Sequence, residues 1–191
     1  NTKFSNNQTR LKNYNGAIYY QAGIDKTAIG SLNITNSIFD NNQGAIGINS
    51  GPFGQFAGEI TNSTFYDNGE IPILKTNSTA LADSTGYSRL HIRNSIIWET
   101  ITPFYPLLVG GNFENTNLFG YQLSDNLIGP TFDPSIPGAG DSLIINNIIG
   151  KNPLFKSEDN LNILSCSPAI NQGSSRWLEN QNIELDFEGN P

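Results

Sequence analysis

The sequence predicts an all-β chain wound as a parallel β-solenoid, short-stranded coils stacked one on another with loop insertions between strands. Three observations predict it. A short phrase recurs along the 191 residues, Asn and Gly break the chain at the same place in most copies, and they also interrupt every candidate helix before three turns. Composition agrees. Hydrophobic residues make up 37% and charged residues only 14%, so a sizeable core is available while the polar character rests on Asn, Ser, Thr, Gln and Gly, residues of tight turns.

The phrase reads Leu32-Asn-Ile-Thr-Asn-Ser-Ile-Phe39 and returns at 59–65, 90–97 and 143–149, with a weaker copy at 123–128. Aligned on the residue after the central Asn, the copies fall at Ser37, Ser63, Ser95, Asn126 and Asn147, at intervals of 26, 32, 31 and 21 residues. A unit of this size matches one solenoid coil, and the longer intervals leave room for a loop. Residues 4–8 resemble 39–43, which places the first residues inside a coil.

Within the phrase, period-2 alternation sends Ile34, Ile60 and Ile92 inward. Ile38, Thr64 and Ile96 form a second expected inward position. Phe39, Phe65 and Ile97 compete for it, because the Asn-Ser step breaks the alternation where one strand bends into the next. At that bend Asn36, Asn62 and Asn94, with Asn147 in the last copy, are expected to stack as an amide ladder. The alternative is that each Asn takes a left-handed turn conformation. A second punctuated stretch follows each phrase: the turn at 40–44 leads into a strand at 45–48, the turn at 66–69 into 71–74, and Asn15-Gly16 into 17–20. Two to three short strands per coil result. A β-sandwich shares the strand rhythm but not the recurring phrase.

The coils are expected to occupy 1–165, with insertions near 47–58, 76–88, 98–111 and 129–141, and a closing coil of the same domain at 166–191. The last part is the most specific. Asn152, Pro153 and Phe155, then Ser167, Pro168, Ala169, Ile170 and Gly173, then Asp186, Gly189 and Pro191 resemble the closing motifs of the right-handed parallel β-helix repeat family. Asn171 stands where that family usually has an aspartate. The resemblance covers nearly the whole chain and is strong at the C-terminal phrase, weaker in the individual coils. It implies a right-handed, single-stranded parallel β-helix. It is similar to secreted and surface-anchored, adhesin-like proteins of Bacteroidetes-like bacteria, and more distantly to pectate-lyase-type enzymes. The chain ends before the arginine that follows in the family, so the expectation is a segment of a longer protein.

Several function classes lose support. A net charge of −7 gives no basic footprint for nucleic acid. No apolar run reaches the ~18 residues of a membrane span. One cysteine and one histidine exclude a cysteine cluster, a multi-histidine zinc site and an internal disulfide. Phosphate loops, dinucleotide fingerprints and a nucleophile elbow are absent. Cys166, between Ser165 and Ser167, is expected to be a buried small side chain near a turn.

The candidate ligand-binding residues are few. Arg89, His91 and Arg93 alternate with Leu90 and Ile92, so all three should project outward as a basic face able to hold an anionic sugar. The nearest carboxylates in sequence, Asp83 and Glu99, lie in or beside loops, and no acid arrangement recurs beside this strand. Trp98 and Tyr105 are the aromatic candidates for stacking on a sugar or a protein partner, whereas Trp177 is expected to seal the last coil. Asp40 and Asp67 occupy similar positions on neighbouring coils. With Asn41 and Asn68 they are the only hint of calcium, or of the carboxylate pair a glycoside hydrolase needs; turn capping explains them equally well. No cofactor or metal is otherwise implied. The expectation is therefore a non-enzymatic, secreted or cell-surface (outer-membrane-associated) scaffold, partnered by flanking domains or another protein. The alternative is a polysaccharide-binding or polysaccharide-degrading β-helix protein.

Overall fold

The structure, a computed structural model, describes residues 2–8, 16–21, 29–49, 55–69, 73–76, 88–100, 107–110, 119–130 and 143–177. Among them there is no α-helix, and 15 of the 17 strands pair in parallel. The strands are β1 Thr2–Ser5, β2 Ile18–Gln21, β3 Ile29–Thr35, β4 Ser37–Asp40, β5 Ile46–Asn49, β6 Gln55–Thr61, β7 Thr64–Tyr66, β8 Ile73–Thr76, β9 Ser88–Arg93, β10 Ile96–Trp98, β11 Leu107–Gly110, β12 Phe119–Ser124, β13 Leu127–Ile128, β14 Leu143–Ile145, β15 Ile148–Ile149, β16 Phe155–Ser157 and β17 Asn160–Ile163.

They form three parallel sheets in the orders β1-β4-β7-β10-β13-β15 (sheet A), β11-β8-β5-β2 (sheet B) and β14-β12-β9-β6-β3 (sheet C). From β1 to β13 the chain visits the sheets in a fixed cycle, C to A to B and back to C. Each circuit therefore lays one new strand on the edge of each sheet.

The register explains the repeat. Ile34 pairs with Ile60, Ile60 with Ile92 and Ile92 with Leu123, and all four are buried. On sheet A the competition between neighbouring positions is resolved in favour of Phe39, Phe65 and Ile97, each fully buried, while Ile38, Thr64 and Ile96 are half-buried. The corner residue between sheets C and A has a left-handed backbone, which resets the alternation by one residue. Phe4, Phe39 and Phe65 consequently stack face to face, with centroids 5.0 and 4.9 Å apart, close to the ~4.8 Å separation of neighbouring strands.

Of the two readings of the repeated Asn, the left-handed turn is the one the backbone adopts: φ is 47° at Asn36, 51° at Asn62 and 48° at Asn94. The hydrogen-bonded row runs one residue later. The Ser37 amide donates to Ser63 Oγ (3.3 Å), Ser63 to Ser95 Oγ (3.1 Å), Ser95 to Asn126 Oδ1 (2.9 Å) and Asn126 to Asn147 Oδ1 (2.9 Å). Asn147 thus belongs to the row, whereas Asn36, Asn62 and Asn94 flank it.

A second row follows β1, β4 and β7. Left-handed residues Asn6, Asn41 and Asp67 turn that corner (φ 57°, 51° and 51°). The next residues then link up: Asn7 Nδ2 donates to Asn42 Oδ1 (2.8 Å), Asn42 Nδ2 to Asn68 Oδ1 (2.8 Å), and the Asn68 amide to Glu99 Oε2. Such rows satisfy the backbone groups that a corner takes out of the sheet ladders.

The stretches expected to leave the coils are shorter than anticipated, because residues 47–49 and 55–58 belong to β5 and β6, and 107–110 to β11. Residues 50–54, 77–87, 101–106, 111–118 and 131–142 lie outside the described residues. From Lys151 the chain leaves the cycle. Strands β16 and β17 pair antiparallel, and residues 166–177 run in turns, closing with a 3-10 turn at Ser175–Trp177. Cys166 is exposed, contrary to expectation: in this turn-rich tail the adjacent Ser167 is the buried side chain and Cys166 faces out. No helix among the described residues is long and apolar enough to cross a membrane.

Candidate functional site

Strand β9 carries the basic face. Leu90 and Ile92 are fully buried, so Arg89, His91 and Arg93 point outward from sheet C; Arg89 is exposed and the other two are half-buried. Register sets Glu59 of β6 beside His91 on one side and Gln122 of β12 on the other. Glu59 brings the carboxylate that sequence distance concealed.

Arg93 is heavily engaged. Its Nη1 lies 2.6 Å from Glu59 Oε1, and its Nη2 donates to His91 Nδ1 at 2.5 Å. The indole of Trp177 covers the guanidinium, 3.9 Å from ring centroid to Cζ. One buried atom, Arg93 Nε, has no partner among the described residues. A guanidinium has donors only, so His91 Nδ1 must accept, which leaves the proton of the neutral imidazole on Nε2. Burial and the neighbouring Arg93 and Arg89 charges lower the His91 pKa, with Glu59 opposing them. At neutral pH this face presents an uncharged imidazole beside one exposed arginine.

Trp177 arrives as part of a clasp made by the C-terminal segment. Its Nε1 donates to Asp125 Oδ2 at 2.6 Å, and Arg176 forms an ion pair with the same oxygen at 3.1 Å. Arg176 also lies over the indole at 4.1 Å. Three residues earlier, Asn94 Nδ2 donates to the Ser174 carbonyl (3.0 Å) while the Ser174 amide donates to Asn94 Oδ1 (2.9 Å). Gly173 eases this approach, since a Cβ there would lie 3.3 Å from Asn94 Cγ, tighter than an ordinary contact. Phe155 contributes an edge contact to Tyr66, with centroids 5.5 Å apart. Trp177 therefore binds the side of the stack at Arg93 and Asp125, where it was expected to seal a last coil.

The remaining candidates do not gather on this face. Trp98 is half-buried on β10 of sheet A, paired with Tyr66, and Tyr105 lies outside the described residues, as does Asp83. Asp40 and Asp67 are not equivalent: Asp40 pairs with Tyr66, and the left-handed Asp67 follows one residue later, level with Asn41. Asp40 forms an ion pair with Lys3 at 2.9 Å, and Asp67 accepts from the Thr100 hydroxyl. The described residues contain no group of three or more His, Cys, Asp or Glu suited to a metal ion.

Glu99 is a different case. It is 3% exposed and ends the row that begins at Asn7. The backbone and side-chain N–H groups of Asn68 are its hydrogen-bond donors. Burial pushes its carboxyl up to about 8, with the Asp67 charge adding to the rise and the Asn68 bonds opposing it. The repeat gave no signal for this residue: its side chain ends the row of amides, yet it follows Trp98 by one residue where Asn68 follows the paired Tyr66 by two.

Compared with known protein families, with curated proteins and with solved structures, the chain matches none.

Proposed function

We propose that the three sheets close into a right-handed, single-stranded parallel β-helix, and that the chain serves as a non-enzymatic, extracellular or cell-surface scaffold of adhesin-like type within a larger protein or assembly. The observation that supports this reading is where the polar side chains are spent. Asn42, Asn68, Asn126, Asn147 and the serines of the repeat bind neighbouring circuits, while Arg93, Asp125 and Glu59 hold the clasp and its surroundings. Among the described residues no second carboxylate opposes Glu59 across the β9 face, as acid-base cleavage of a glycosidic bond needs. The reading includes no cofactor. Partners would be flanking domains or another protein. Secretion, with association to an outer membrane, is the location this reading implies.

A second reading is favoured by one observation, the uncharged imidazole of His91 beside exposed Arg89. This pair suits an acidic sugar held at the surface, and the chain would then bind or degrade a polysaccharide. A glycan-array screen of the purified chain with Arg89→Ala and His91→Ala in parallel separates the two. Failure of the folded protein to bind any glycan supports the scaffold. Saturable binding to acidic glycans that both variants lose replaces it with the carbohydrate reading.

A further inference from the structure

The corner between sheets C and A carries one left-handed residue per circuit: Asn36, Asn62, Asn94, Asp125 and Asn146, with φ between 47° and 57°. They lie in line. The amide of each of the first four donates to the carbonyl of the residue that precedes the next corner, at 3.0–3.2 Å. The column therefore repeats at about the strand spacing of 4.8 Å.

Two rungs show what the column binds. Asn94 takes both backbone groups of a single residue, Ser174, with one hydrogen bond in each direction. Asp125, the only acid in the column, takes the Trp177 indole N–H and Arg176. Asn62 has the same backbone conformation as Asn94 and sits one rung away, yet its side-chain amide has no hydrogen-bond partner among the described residues. It lines a cleft of about 460 Å³ between the corner and the C-terminal segment, with Ile96, Leu127, Ile163, Ala169 and Gln172 on its walls. That volume falls in the range of small-ligand sites. The one ionisable residue on the wall, Asp125, is already paired with Arg176, so the cleft offers amides and hydroxyls above an apolar floor and no net charge to a ligand.

We propose that this cleft binds a short, uncharged, extended peptide segment of a partner polypeptide. Asn62 holds the N–H and C=O of one ligand residue as Asn94 holds those of Ser174. Ile96, Leu127 and Ile163 receive an adjacent apolar side chain. A peptide is the occupant favoured over a sugar because the neighbouring rung, with the same residue type on the same left-handed backbone, selects a peptide backbone within this molecule.

The test uses the full chain, isotope-labelled, titrated with N-acetyl-leucine amide, which carries two peptide units and one apolar side chain, and separately with glucose. Saturable shifts of the Asn62 side-chain amide and of the Ile96 and Leu127 methyl groups with the capped leucine are expected. Asn62→Gly keeps the left-handed corner without strain and removes the amide. It should weaken binding about tenfold, the loss of one or two hydrogen bonds. Asn62→Asp, which also tolerates this conformation but has no donor, should weaken it comparably and serves if the glycine variant does not fold. The proposal is overturned if the folded wild type shows no saturable shift, if both folded variants bind the capped leucine as well as wild type, or if glucose shifts these groups and the capped leucine does not.

Discussion

Glu99→Gln tests the electrostatics of the corner row most directly. Glu99 is 3% exposed, and burial raises its carboxyl from an ordinary 4.5 to about 8. The folded chain therefore binds a proton here that the unfolded chain has released between those two values. Stability from this group is fully present below pH 4.5 and is lost as pH rises through 8. At 1.36 kcal/mol per unit the loss reaches about 4–5 kcal/mol, a large share of the ~5–15 kcal/mol that holds a domain folded. Glutamine keeps the shape of the neutral acid and an oxygen for the Asn68 backbone N–H, gives up the longer 3.4 Å bond from Asn68 Nδ2, and cannot ionise. Urea unfolding of both proteins at pH 5, 7 and 9 is the assay. His91, whose lowered pKa removes stability as pH falls through its folded value, is common to both chains and cancels in their difference. The stability of the variant relative to wild type is expected to rise by about 4 kcal/mol between pH 5 and pH 9. A difference between the two proteins that stays constant from pH 5 to pH 9, or a wild type that gains on the variant as pH rises, would refute the reasoning.

Three further substitutions address the rows, the core and the clasp. Asn126→Ala removes the acceptor for the Ser95 amide and the donor to the Ile92 carbonyl, both at 2.9 Å and buried, and should cost about 2–5 kcal/mol in denaturant unfolding. A Cβ at Gly58 would lie 2.6 Å from Phe56 Cζ and 3.0 Å from Leu90 Cδ1. Both side chains are fully buried, so Gly58→Ala should destabilise by about 1–3 kcal/mol, read as a lower melting temperature. Trp177→Ala removes the cover of Arg93 and one of the two ligands of Asp125. Limited proteolysis near residue 177 should accelerate several-fold while the melting transition of the sheets moves little.

The parallel, all-β character was legible because one position per circuit repeats a residue type that chemistry restricts. The left-handed corner accepts Asn or Asp at little cost, and Ile34, Ile60 and Ile92 repeat at a fixed distance before it. The phase of the next strand was not legible, since whether Ile38 or Phe39 faces inward depends on that corner's dihedral angles. Glu59 was readable in principle: aligning it two residues before Thr61, as His91 stands before Arg93, puts the two side by side. The clasp was not. Asn94 and Ser174 are 80 residues apart and share no periodic pattern, so only the folded chain brings them together. Glu99 was passed over as a loop neighbour because a carboxyl in a row of amides breaks the composition by which the row is recognised.

The corner rows also have a direction. In each step the backbone N–H of an earlier circuit donates to a side chain of the later one, as Ser95 does to Asn126 and Asn126 to Asn147. The same later asparagines reach back to an earlier carbonyl, Asn126 to Ile92 and Asn147 to Leu123. The corner's own serine hydroxyls close only onto the carbonyl two residues back; its backbone N–H is latched by the circuit made after it. Damage to a latch should loosen the preceding circuit, so in Asn126→Ala the Ser95 amide should exchange hydrogen faster before any change at Asn147. On a ribosome each circuit would wait unlatched until its successor emerged, and the structure would set from the chain's start towards its most recently made end.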